Sequence, residues 1–388
     1  MAMKLGDVCK INPKGIPTSD DTEVSFIPMQ NVTEDGRIDT SQIRKYCDVK
    51  KGFTNFQEND ILFAKITPCM ENGKGAIARG LKNGIGAGST EFHIMRPNFE
   101  KITSEWLYYL TSWPVFRKEC EKNMTGSAGQ KRVPKLFLEN YNIKIPSLDE
   151  QRRIAAVLDK VSGLIAKRRE QLDKLDELVK ARFVEMFGNF IFDRDRWEIC
   201  KVGLVADTID PQPSHRTPPV STDGIPYIGI AECNYETWHI DFEKARKVGK
   251  NVLREHQERY TLDNGDFIIG KIGTIGKPFP IPAKQTYTLS ANTILIKPIK
   301  NKVMPQFLFA VFQSEYMDRI IDAEKKSTSQ PAFGIQKVRN IEMPLPPMKL
   351  QQGFSDFVEQ LDKSKLTIQQ SLDKLEVLKK ALMQQYFG

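Results

Sequence analysis

Two polar stretches of this chain hold the residue types that grip a phosphate backbone. They are Thr125-Gly126-Ser127-Ala128-Gly129-Gln130-Lys131-Arg132 and Lys325-Lys326-Ser327-Thr328-Ser329-Gln330. Backbone N–H and hydroxyl groups on small residues can approach phosphate oxygens closely, while Lys and Arg neutralise their charge. Either stretch alone reads equally well as an ordinary surface loop. Similar composition in the same place twice favours the phosphate reading.

Other chemistries are poorly served. A methyltransferase acting on a base amino group would show an Asn/Asp-Pro-Pro-aromatic tetrapeptide, and Thr217-Pro218-Pro219-Val220 lacks both ends. A P-loop needs G-x-x-x-x-G-K-[ST]. From Gly270 to Gly276-Lys277 there is one residue too many, and Pro278 stands where the hydroxyl belongs. His93, His215, His239 and His256 have no metal-ligand spacing, and cysteines 9, 47, 69, 120, 200 and 233 form no CxxC pair. Acid–lysine neighbours such as Glu71-Asn72-Gly73-Lys74 arise by chance where 27% of residues are charged. No catalytic centre is expected.

The elements that must position the loops occur twice. Residues 143–188 return almost in register as 343–388, so that Leu172-Asp173-Lys174-Leu175 becomes Leu372-Asp373-Lys374-Leu375 and Phe187-Gly188 becomes Phe387-Gly388. Internal repeats of this kind outrank any single motif. Ser147-Leu148-Asp149-Glu150 has the spacing of a capping box, and Gly188 stands where a glycine would end the helix. Alternating steps of four and three from Ile154 pass through Leu158, Val161, Ile165, Leu172, Leu175, Val179 and Met186, interrupted by Arg168 and Arg182. The second copy passes through Phe354, Val358, Leu361, Ile368, Leu372, Leu375, Leu382 and Tyr386, interrupted by Lys365 and Lys379. A seam repeating every ~3.5 residues is a coiled-coil signature. The interruptions differ between copies, as expected if the two helices pair with each other in antiparallel fashion. Each rod would be roughly 58 Å long at ~1.5 Å per residue. A helical hairpin inside one globular domain is the plainer alternative.

The β-rich blocks repeat more loosely. Asp60-Ile61-Leu62-Phe63-Ala64-Lys65-Ile66 answers to Asp266-Phe267-Ile268-Ile269-Gly270-Lys271-Ile272, and Gly73-Lys74 to Gly276-Lys277. Ser89 through Pro97 parallels Ser290 through Pro298, with the alternation of a strand. Trp106-Leu107-Tyr108-Tyr109-Leu110 and Phe307-Leu308-Phe309-Ala310-Val311 open buried helices. The expected class is α+β: two β-rich domains, 1–146 and 189–346, separated by two long antiparallel coiled-coil helices, 147–188 and 347–388, in a pseudo-twofold internal repeat.

A net charge of +8 permits nucleic acid without requiring it. Segments 1–148 and 189–348 carry +4 and +2, and the helical segments +1 each, so binding must come from charge placement. No apolar run approaches the ~18 residues of a membrane span. With scattered cysteines, this predicts a cytoplasmic protein with reduced thiols.

Ile145-Pro146-Ser147-Leu148-Asp149-Glu150-Gln151-Arg152-Arg153-Ile154-Ala155-Ala156-Val157-Leu158-Asp159 resembles the central conserved region of type I restriction–modification specificity subunits. Residues 60–66 and 126–133 resemble their target-recognition domains, and the order of parts matches over essentially the whole chain. In the second copy Leu350 replaces the acidic residue and Pro346-Pro347 the capping serine.

The resemblance implies a DNA-reading subunit with no active site or cofactor of its own, recognising a bipartite, asymmetric duplex target. Two adenine-N6 methyltransferase subunits would clamp its coiled coil, and a motor–nuclease subunit would join for restriction. S-adenosylmethionine, ATP and Mg²⁺ would be bound by those partners. The candidate DNA contacts are Lys65, Lys74, Ser127, Gln130, Lys131 and Arg132 in the first block, with Lys271, Lys277, Lys326, Ser327, Ser329 and Gln330 in the second. Gln130 or Gln330 has the amide that reads adenine N6/N7. The candidate coiled-coil and partner interface is Gln151, Ile154, Leu158, Val161, Leu172 and Leu175, with Gln351, Phe354, Val358, Leu361, Leu372 and Leu375. Two rivals stand beside this reading: a coiled-coil scaffold that never touches DNA, and an enzyme such as a nuclease with a cryptic site.

Overall fold

The structure, a computed structural model, describes all of the chain except residues 1, 16–17, 128, 194–195, 215, 236, 273, 285 and 327–332, and omits the side chains of 2 and 324–326. It divides into two units, Met1–Arg169 with Gln370–Gly388, and Glu170–Gln369.

In the first unit, strands Cys9–Ile11, Phe92–Pro97, Ile61–Ala64 and Gly75–Ile77 form an antiparallel sheet in that order. A second sheet runs Ile43–Lys45, Glu23–Ile27, Ile85–Gly88 and Thr54–Gln57, with one parallel pair in its middle. Side chains alternate across a strand, so one strand can feed two cores. Ile61, Phe63 and Met95 face the helices bearing Trp106, Leu107 and Phe116, whereas Leu62, Ala64, Phe92 and Ile94 face Ile27 and Phe56. The alternation expected in Phe92–Pro97 is therefore one between two buried faces. Only His93 and Arg96 are polar there; Arg96 makes two bonds of 2.8 and 2.7 Å to the buried Asp60.

The second unit repeats the plan. Ala206–Ile209, Thr293–Pro298, Phe267–Gly270 and Pro278–Pro280 form the first sheet, and Arg246–Val248, Val220–Ile228 and Thr288–Leu289 the second, again with one parallel pair. Helix Lys250–Gln257 stands at the place in chain order where the first unit has the short helix Tyr46–Val49, and among the described residues no strand follows it to match Thr54–Gln57.

The long helices run Leu148–Phe187 and Met348–Phe387. Ser147 Oγ accepts the Glu150 N–H at 3.3 Å, but the Glu150 carboxylate turns to Arg153, so only half of the capping box forms. Gly188 closes the first helix at φ +83°, where a side chain would also meet Asp193.

Within each unit the two helix segments run antiparallel. Arg169 meets Glu376 at 2.8 Å in the first unit, and Lys365 meets Asp176 at 2.6 Å in the second. Ile154, Leu158, Val161, Ile165, Phe354 and Leu372 are buried in the seam, with Val358, Leu361, Leu172 and Leu175 half-buried. Toward the C-terminal ends Phe183, Phe187 and Met383 are the buried residues, one position beyond the expected Arg182, Met186 and Leu382. A straight helix drifts ~20° per heptad against a 3.5-residue repeat, which moves the buried stripe by about one residue over the last turns.

The repeated Phe-Gly now has a reason. Phe387 packs on Trp106 (5.2 Å between ring centroids) and Trp113 (6.2 Å) in the first unit. Phe187 packs on Phe307 (4.9 Å), the counterpart of Trp106, in the second. The end of each long helix thus plugs the same socket in the two units.

Candidate nucleic-acid interface

The lower rim of the first unit is built on strand Ile61–Ala64. Lys65 follows it directly: its N–H donates to the Glu91 carbonyl at 2.9 Å, and its carbonyl accepts the Val133 N–H at 2.9 Å. The loop Thr125–Arg132 is closed at its base by two backbone bonds of 3.0 and 2.8 Å between those two residues. It is pinned sideways by Thr67, whose N–H and hydroxyl reach the Lys131 carbonyl at 3.0 and 3.3 Å. Glycine serves a purpose at 126, where φ is +126° and a Cβ would collide with the Gln130 carbonyl oxygen. Ser127, Gln130 and Lys131 end up exposed at the tip, and Lys65 half-exposed beside them. The ammonium groups of Lys65 and Lys131 make no ion pair among the described residues.

Arg132 is not one of the free cations. Its guanidinium makes bonds of 2.9 and 2.8 Å to the Glu91 carboxylate and one of 3.0 Å to the Gln130 carbonyl. That contact holds the Glu91 carboxyl below the usual carboxylate range. Arg132 therefore braces the loop. Lys74 is half-buried and donates to the Met29 carbonyl at 3.3 Å.

In the second unit the same framework recurs: Lys271 N–H donates to Asn292 O at 2.8 Å and Phe333 N–H to Lys271 O at 3.1 Å. The side chain differs. Lys271 is 9% exposed, ion-paired with Asp210 at 2.7 Å and bonded to the Ala291 carbonyl at 2.9 Å. Expected as a phosphate contact, it is instead consumed inside its own unit. Lys277 is exposed and lies 4.4 Å from the Tyr235 ring centre, a cation–π arrangement that leaves its outer face open. Lys326 is the last residue of helix Glu315–Lys326. Ser327, Ser329 and Gln330 lie outside the described residues.

Gln151 and Gln351, expected at the coiled-coil and partner interface, are held by backbone groups of their own units. Gln151 Oε1 accepts the Thr103 N–H at 2.9 Å, and its amide donates to the Lys101 and Pro146 carbonyls. Gln351 does the same with the Met304 N–H (2.9 Å) and the Pro346 carbonyl (2.7 Å). Both are essentially fully buried. Thr103 and Met304 precede the buried helices Ser104–Ser112 and Pro305–Phe312. Each glutamine thus caps one helix while anchoring the start of another, which explains its recurrence without any partner.

Two of the four histidines, read from the sequence as surface or structural rather than catalytic, lie buried beneath the strand-end lysines. His93 is buried; its Nε2 donates to the Val133 carbonyl at 2.7 Å and its Nδ1 accepts from Asn12 at 3.0 Å. In the second unit His256 Nε2 donates to Gln212 Oε1 at 2.5 Å and Nδ1 bonds the Thr288 hydroxyl. Burial lowers the pKa of both imidazoles from the ordinary 6.5. A depressed folded-state value means that stability is complete above about 6.5, where both states are neutral, and is lost as pH falls and the unfolded chain takes up protons first. Thermal unfolding followed from pH 8 to 5 should show the melting temperature declining below about 6.5. His93→Gln should weaken that decline in the first unit; an unchanged acid profile in the variant would refute the assignment. Among the described residues no cluster of His, Cys, Asp and Glu could hold a metal, and no helix is long and apolar enough to cross a membrane.

Two α+β units of one plan, each with a lysine at the end of its central strand and each plugged by the end of a long helix, define a duplicated protein. The sequence model described as "Type I restriction modification DNA specificity domain" matches residues 1–176 and 199–379, and the chain belongs to this family. Among its relatives are the specificity subunits of the type I restriction enzymes EcoAI and EcoEI of Escherichia coli. They are 45% and 42% identical over 183 and 182 residues, 45% of this chain in each case. Those alignments span only 31% and 30% of the relatives' own length. The fold is shared with the crystal structure of a type I restriction–modification S subunit from M. genitalium, with TM-score 0.55, 14% identity and coverage of 100% and 96% of the two chains.

Proposed function

We propose that this chain is the non-catalytic DNA-reading subunit of a type I restriction–modification complex, with each unit reading one half of a split, asymmetric duplex target. The observation that carries the reading is the rim of the first unit. There a loop locked at its base offers Ser127, Gln130 and Lys131 beside Lys65, with the bracing arginine held by Glu91. Rigid placement of a few polar side chains is what base-edge recognition needs, and free lysines beside them supply the phosphate contacts that fix register. In the second unit Lys277, the counterpart of Lys74, is an exposed cation.

Adenine-N6 methyltransferase subunits are the partners proposed for the long helices, and a motor–nuclease subunit for restriction. S-adenosylmethionine, ATP and Mg²⁺ belong to those partners. The protein would act in the cytoplasm, where its target DNA is. The methyltransferase must flip its adenine out of the stack, so the rim loops have to hold the duplex while leaving that base free.

The test is single-molecule methylation sequencing of a methylation-free bacterium carrying this chain and its neighbouring methyltransferase gene. N6-methyladenine confined to one split motif, and lost when this chain is omitted, is the expected result. The same methylation without the chain would overturn the reading in favour of a scaffold. In the assembled complex, Lys65→Ala with Lys131→Ala should weaken duplex binding and lower the slope of log Kd against log salt by about two. An unchanged slope would remove both lysines from the interface.

A further inference from the structure

Beneath the rim of the first unit lies a buried cation with no counter-charge. Arg117, on helix Pro114–Lys122, is 7% exposed. Its Nη1 donates to the Met70 carbonyl at 2.7 Å and Nη2 to the Lys74 carbonyl at 3.4 Å, and the guanidinium lies 5.0 Å from the Phe63 ring centre. Nε has no acceptor, and no carboxylate pairs with the group among the described residues. Burial pushes its pKa down to about 10, which still leaves it charged at neutral pH. An unpaired buried charge is costly and is normally removed by a partner or by an apolar replacement.

The two carbonyls it holds belong to the turn 66–74, between strands Ile61–Ala64 and Gly75–Ile77. Gly75 makes room for the arrangement, since a Cβ there would lie 2.9 Å from Leu62 O and 3.2 Å from Arg117 Nη2. The same turn carries Thr67, which grips the Lys131 carbonyl. Arg117 is thus linked through one turn to the tip of the recognition loop.

The second unit removes this charge. Thr103 and Met304, each held by the repeated glutamine, fix the alignment of the helices that follow. On that alignment Arg117 corresponds to Asp318, an exposed carboxylate. Counted two residues on from the strand pairing of Ile11, Pro13 falls where the second unit has Asp210, the residue that pairs with Lys271. The first unit therefore leaves Arg117 without a carboxylate partner and Lys65 without the close ion pair that holds Lys271, while the second pairs one position and reverses the charge at the other.

Resting on the DNA-reading function above, we propose that Arg117 is a positioning residue of the first unit: it holds the turn 66–74 under the recognition loop, and its uncompensated charge adds to the field that draws the phosphate backbone to that rim. A fixed charge in a low-dielectric setting projects its field to the nearby surface, and no acid beside Arg117 diverts it.

The test uses the full chain assembled with its methyltransferase subunits, with a fixed-sequence 40-base-pair duplex as probe and methylation sequencing as the second readout. Arg117→Met removes the charge at similar volume. It should bind on the order of tenfold more weakly at low salt, show a flatter salt dependence, and methylate a motif degenerate only in the first unit's half. Arg117→Lys keeps the charge but not both carbonyl bonds. It should retain affinity and salt slope within about twofold while still losing fidelity in that half. If Arg117→Met does not fold, Arg117→Lys decides alone. Wild-type affinity, slope and motif in either folded variant would overturn the proposal. Failure of the wild-type complex to bind DNA or direct methylation would instead overturn the function on which it rests.

Discussion

Phe187→Ala is expected to destabilise the second unit by about 3–5 kcal/mol, the range for emptying a fully buried phenylalanine site. The ring is completely buried and lies 5.1 Å from Phe183, 4.9 Å from Phe307 and 5.5 Å from Phe354. Those three rings sit on rigid helices, so the cavity cannot easily collapse. Hydrogen exchange should show Phe267–Gly270 and Thr293–Pro298 losing protection while Ile61–Ala64 in the first unit keeps it. Phe187→Leu should cost less than ~1.5 kcal/mol. A loss below ~1 kcal/mol for the alanine variant would mean that the helix end does not plug the socket. Phe387→Ala should cost less, because Phe387 is only half-buried against its two tryptophans.

That asymmetry shows what the sequence could reveal. The repeat, the helix limits and the paired Phe-Gly ends were legible because they depend on local spacing. The α+β class followed from period and length. What stayed hidden depends on residues brought together from far apart. Nothing near Lys271 announces Asp210, and Arg132 finds Glu91 across 41 residues. Both lysine and arginine were read as phosphate contacts by composition, and both are occupied by a carboxylate. Gln151 and Gln351 repeat with the helices and so looked like interface residues, but their partners are backbone groups of the preceding block. Arg117 carried no signal, since a basic residue on a short helix reads as solvent-facing until packing buries it.

Exchanging residues 1–140 for the corresponding block of a relative should change one half of the methylated motif and leave the other half intact. The second unit's sheets are made within Glu170–Gln369, outside the exchanged residues. The original half should be lost by roughly a thousandfold, as three mismatched base pairs at ~1–3 kcal/mol each imply. The structure adds a condition. The incoming block must keep an aromatic socket at 106 and 113 for Phe387, a backbone N–H at 103 for Gln151, and a donor at 109 for Asp159, which accepts the Tyr109 hydroxyl at 2.6 Å. A block lacking these should fail by unfolding the first unit, which hydrogen exchange distinguishes from a change of target. Alteration of both halves by a folded exchange would show that the units do not read separately. Alteration of neither would move recognition out of residues 1–140 altogether, and with it the roles assigned to Lys65, Ser127, Gln130 and Lys131.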